Sequence, residues 1–92
     1  MCATVIGGMD RLKRDYINAA KLEGVELKVF TGKESRIAPK LGNTGLIILF
    51  TNQLSHAARR DVLNHAKKHN IPVRQAHSCG VSSLRGCLAQ AS

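Results

Sequence analysis

Ninety-two residues suffice for one domain and leave too little chain to build a second core. An apolar content of 43% is that of a globular chain, and 3% aromatic residues (Tyr16, Phe30, Phe50) make its core aliphatic. Fourteen Lys and Arg against six Asp and Glu give +8, which favours anionic partners, while the longest apolar run, residues 46–50, falls far short of the ~20 residues of a membrane span.

Residues 3–6 form a short, partly β-branched apolar run closed by Gly7 and Gly8, the pattern of a strand covered on both faces. Asp10 is placed to cap a helix in which Leu12, Tyr16, Ala19 and Ala20 recur at helical spacing until Gly24 stops it. Residues 25–30 alternate apolar and polar side chains, as a half-covered edge strand does, and end at Thr31 and Gly32. Residues 33–44, with Pro39 and Gly42, read as an irregular crossover that can hold one helical turn. Residues 45–50 are the most apolar segment and so the central strand, followed by a turn at Thr51 and Asn52. Ser55 caps the next helix, whose inner stripe is Ala58, Val62, Leu63 and Ala66 and which ends near Asn70. Residues 71–76 are a fourth short strand. Val81, Leu84, Leu88 and Ala91 are the apolar stripe of a closing helix, with Gly86 as a tolerated flaw.

This alternation of strands and helices calls for a parallel sheet with right-handed crossovers. The expected fold is a small α/β domain, Rossmann-like or flavodoxin-like, with three layers, four parallel strands in order 2-1-3-4 and about three helices. Three helices are few for two sheet faces, so a second copy is expected to cover the remainder in a homodimer. The first basic residue, Arg11, follows the apolar start, which is not the order of a secretion signal. Cys2, Cys79 and Cys87 show no paired spacing, as expected in a reducing cytoplasm.

Together the segments V-I-G-G-M-D-R, V-F-T-G-K, F-T-N-Q-L-S-H and I-P-V-R-Q-A-H-S-C-G-V-S-S-L resemble the bacterial family of unknown function 2325. The resemblance covers nearly the whole chain. It is carried by Gly7-Gly8 after the first strand, residues 51–56 after the third, and Ser78-x-Gly80-x-Ser82 after the fourth. It implies a Rossmann-like fold and brings no activity with it. The family's closing motif often reads Ser-Ser-Gly where this chain has Ser78-Cys79-Gly80, so chemistry at Cys79 would not be common to its members.

In an open parallel sheet, ligands bind beyond the carboxyl ends of the strands. There the expected fold places Gly7, Gly8 and Asp10, then Thr31 and Lys33, then Thr51, Asn52, Ser55 and His56, and last His77, Ser78, Cys79, Gly80 and Ser82. Helix-start amides, small hydroxyl residues and Lys33 make a cradle for an anionic small molecule. The plainer reading makes Asp10, Ser55 and Ser78 helix caps only. Thr31-Gly32-Lys33 is not a triphosphate loop, because Leu27 stands where its first glycine belongs and no Ser or Thr follows Lys33. The dinucleotide Gly-x-Gly-x-x-Gly is also missing, and the third strand ends in Phe50-Thr51, without the carboxylate of a receiver domain.

His56, His77 and Cys79 lie on loops after neighbouring strands and are a candidate ligand set for zinc or iron. Cys79 and Arg85 have the Cys-x5-Arg spacing of a cysteine-dependent phosphatase, although neither a central glycine nor a nearby general acid accompanies them. His65 and His69 share a helix with Lys67 and Lys68 and read as a solvated face. The reading reached is a small cytoplasmic ligand-binding module, regulatory in kind, for an anion, a metal or both. A basic protein associated with nucleic acid is the alternative, and a phosphatase-like enzyme the third. Binding to nucleic acid should be weak and non-specific, since no aromatic pair offers itself to bases and the cations are divided among Arg11, Lys13 and Arg14 on one helix and Arg59 and Arg60 on another.

Overall fold

The computed structural model describes residues 1–32 and 37–91. In chain order it runs β1 (Cys2–Gly8), a 3-10 turn (Asp10–Leu12), α1 (Lys13–Leu22), β2 (Glu26–Thr31), a 3-10 turn (Ala38–Lys40) and β3 (Leu46–Phe50). After these come a 3-10 turn (Thr51–Gln53), α2 (His56–Lys68), β4 (Val73–Ala76) and α3 (Val81–Ala91). The four strands form one parallel sheet in the order β2-β1-β3-β4, as the alternation of elements predicts.

The period of two in the central strands sorts their side chains onto two covered faces. Ala3, Val5, Leu46, Ile48 and Phe50 face α1 and α3, where Tyr16, Ala19, Ala20, Leu84, Cys87 and Leu88 complete one core. Ile6, Ile47 and Leu49 face α2, where Val62 and Ala66 join Ile37 and Leu41 of the crossover in a second. All five residues of β3 are buried, each contributing about 1.5–3 kcal/mol of transfer free energy, so this strand is the most costly to disturb. The crossover stands in for a fourth helix. The apolar side chains of β1 and β3 are thus covered on both faces, while Arg74 and Gln75 of β4 are exposed, and Met1 and Leu22 are the exposed large hydrophobic residues among those described.

Helix ends follow the chemistry of left-handed caps. Gly24 (φ 72°) ends α1 with its N–H donated to Lys21, and Asn70 (φ 55°) ends α2 in the same way with Lys67. Two expectations are corrected. Asp10 does not cap α1; it opens a 3-10 turn in which the Leu12 N–H bonds the Met9 carbonyl and the Lys13 N–H bonds the carbonyl of Asp10 itself. The fourth strand starts at Val73, not at residue 71, since Pro72 has no N–H to give and contributes only its carbonyl, to Ile47.

Candidate functional site

At the carboxyl edge of the sheet, backbone approaches backbone more closely than any side chain would permit. Gly7 has φ +89°, and a Cβ there would lie 2.7 Å from the Phe50 carbonyl oxygen. A Cβ on Gly32 would lie 2.0 Å from the carbonyl oxygen of Gln53, and one on Gly8 would lie 2.9 Å from the Tyr16 ring. These glycines let the turn after β3 fold across the end of β1 and rest on the end of β2. The crevice between β1 and β3, where the chain switches from one face to the other, is thereby filled. The opening is displaced toward β1 and β2. It is a cleft of about 690 Å³ walled by Gly8 to Arg11 and Lys13 on one side, Val29, Thr31 and Gly32 on the other, and Gln53 at its end.

A buried phenol fastens this edge from below. Tyr16 is buried, its ring centroid 5.7 Å from that of Phe50 and tilted by 44°. Its hydroxyl donates to the Cys79 carbonyl and accepts from the Met9 N–H at 3.2 Å, so the loops after β1 and β4 share one atom. Burial raises the phenol above its ordinary value of 10.0, with Cys79 adding to the rise, while the Met9 hydrogen bond and Arg11 oppose it. The helical stripe identifies Tyr16 as a core residue, but its bridging role was missed. The only clue was chemical: a buried hydroxyl requires partners.

Of the residues expected in one pocket, Gly8, Asp10 and Thr31 line the cleft, and Lys33 lies outside the described residues. Gly7 serves the packing of the β3 turn. Thr51 donates to the Ala76 carbonyl at 3.5 Å, fastening that turn to β4, and Asn52 is exposed beside it. Ser55 is the N-cap of α2, accepting from the Ala58 N–H at 3.1 Å. Ser78 accepts from the Gly80 N–H at 3.3 Å, a local turn in place of a helix cap. His56, His77 and Ser82 are exposed, while Cys79 packs against the core shared by α1 and α3. Among the described residues no group of three or more His, Cys, Asp or Glu could hold a metal, so His56, His77 and Cys79 are not brought together as ligands. Nor is an amide ring built around Cys79: only Gly80 separates it from α3, on which Arg85 is exposed.

Cleft residues that sequence reasoning passed over are Met9, Arg11, Lys13, Val29 and Gln53. Arg11 and Lys13 did carry a signal. Together with Arg14 they crowd the start of α1, where aligned peptide dipoles are already positive, with only Asp10 and Asp15 to offset them.

The family model described as "Uncharacterized protein conserved in bacteria (DUF2325)" matches residues 2–91. The chain belongs to this family. No curated protein and no solved structure matches it. In this DUF2325 chain, the motifs after β1 and β3 meet across Gly7, Gly32 and Gln53, and the motif after β4 joins them through Tyr16. No helix among the described residues is long and apolar enough to cross a membrane.

Proposed function

We propose that this DUF2325 chain is a ligand-binding module that takes an anionic small molecule in the cleft at the carboxyl ends of β1 and β2. One observation carries the reading: Arg11 and Lys13 stand at the positive end of α1 and line an open cleft of about 690 Å³. Cations at a helix start oppose its dipole by ~0.3–1 kcal/mol each, and an anion between them turns that repulsion into attraction. The volume lies within the ~300–1,000 Å³ of typical small-molecule sites. Asp10, in the cleft wall, can accept a hydrogen bond from a ligand hydroxyl. Three unpaired cysteines support a reducing, cytoplasmic setting. A homodimer would pair the open backbone edge of β4 or β2.

The test is thermal unfolding in the presence of inorganic phosphate and pyrophosphate. A bound anion raises the melting temperature with concentration, by about 2.7 kcal/mol of stability at a hundred times Kd. Arg11→Gln with Lys13→Gln abolishes the rise. An equal rise in wild type and variant refutes the reading. Binding of an oligonucleotide that survives ~200 mM salt would instead favour the nucleic-acid alternative.

A further inference from the structure

His65 near the end of α2 and His69 at its C-cap are four residues apart, a spacing that stacks side chains on one face one turn apart. The His65 and His69 rings meet with centroids 4.4 Å apart and planes tilted by 40°. Both line a cleft of about 470 Å³ at the amino edge of the sheet, opposite Pro39, Asn43 and Thr44 of the segment that leads into β3. The cleft shares no residue with the anion cleft. We propose that His65 and His69 chelate a borderline transition-metal ion, of the Zn²⁺, Ni²⁺ or Cu²⁺ class, in this second cleft.

Distance supports the chelate. With metal–nitrogen bonds of about 2.0–2.1 Å, two imidazoles on one ion have centroids roughly 4.5–5 Å apart. The observed centroid separation of 4.4 Å lies close to that range. Burial first, and then the nearby His69 and Lys68, lower His65 from its ordinary value of 6.5. His69 sits at the C-terminal cap of α2, where the negative end of the helix dipole favours a cation, against the charges of Lys67 and Lys68. Asn43 and Thr44 bring side-chain oxygens to the same cleft wall, and water would complete the coordination. Because no third His, Cys, Asp or Glu joins the pair among the described residues, affinity follows the intrinsic order, with Cu²⁺ above Ni²⁺ and Zn²⁺.

The experiment titrates Ni²⁺ into the untagged chain by calorimetry, with His65→Gln, His69→Gln, His56→Gln and His77→Gln alongside. One ion per chain is expected, weakened at least tenfold by either of the first two substitutions and unchanged by the other two. Co²⁺ loading should give a visible spectrum without the near-ultraviolet band of a thiolate, which separates this site from Cys2 and Cys79. In wild type, Ni²⁺ should broaden the ring resonances of His65 and His69 first, a readout that needs no variant. Equal binding by all four variants, a thiolate band, or first broadening at His56 or His77 overturns the proposal.

Discussion

The β1–β2 half and the β3–β4 half of the carboxyl edge carry the same kinds of residue and hold them by different means. In the first half, Gly7, Gly8 and Gly32 are pressed by groups distant in sequence: the Phe50 carbonyl, the Tyr16 ring and the Gln53 carbonyl. In the second half, Ser55 and Ser78 are satisfied by amides two or three residues away and a Cβ on Gly80 would meet nothing closer than 3.6 Å, so the long-range bonds there, from Thr51 to the Ala76 carbonyl and from Tyr16 to the Cys79 carbonyl, leave its Ser and Gly residues uncrowded. A loop residue satisfied by its own local backbone requires no ligand to explain it. A loop closed by long-range contacts presents a fixed wall, and the cleft lies beside that wall.

Gly32→Ala should break this comparison most severely. With 2.0 Å between the added Cβ and the Gln53 carbonyl, the β3 turn must lift, at a cost of about 3 kcal/mol in denaturant unfolding. Gly80→Ala should stay within ~0.5 kcal/mol. Comparable losses at the two positions would show that the halves are held alike.

Tyr16→Phe removes the atom shared by the loops and leaves the Met9 N–H and the Cys79 carbonyl without their partner, for a loss of about 1–3 kcal/mol. Exchange of the Met9 amide should quicken while amides of β3 stay protected. The same substitution changes the alkaline limb. Tyr16 and Cys87 are both raised, chiefly by burial, above ordinary values of 10.0 and 9.0. Their contribution is fully present below those values and is lost as pH climbs through the higher folded-state ones. Wild type should therefore weaken above about pH 9–10, and Tyr16→Phe should flatten that decline.

Ser55→Ala removes the cap of α2 and should lower stability by about 1 kcal/mol, whereas Ser78→Ala should change it by less than ~0.5 kcal/mol. The last expected effect is a gain. Nothing lies within 4 Å of a Cβ built on Gly86, and alanine in that exposed helical position should stabilise by roughly 0.5–1 kcal/mol, read as a higher melting temperature. Gly32, Gly80 and Gly86 thus form a series from crowded to open, and a stability order that did not follow it would undo the account of the β1–β2 wall.

Periodicity and local stops determined the elements and their order. The alternation of residues 25–30, the unbroken apolar run of β3, and the stops at Gly24 and Asn70 depend on neighbours within a turn of helix or a few residues of strand, so one pass along the chain reads them. That all four strand ends point the same way, which places the candidate residues on one edge, follows from the same alternation. Which of those residues meet was decided only in three dimensions. Tyr16 and Cys79 are 63 positions apart, Gly32 is distinguished by a carbonyl of a different loop, and His65 and His69 become a pair in a cleft only because the segment before β3 passes opposite them. Spacing along a chain constrains neighbours through fixed backbone geometry, but across a sheet it imposes no distance until packing has set the strands and their loops in place.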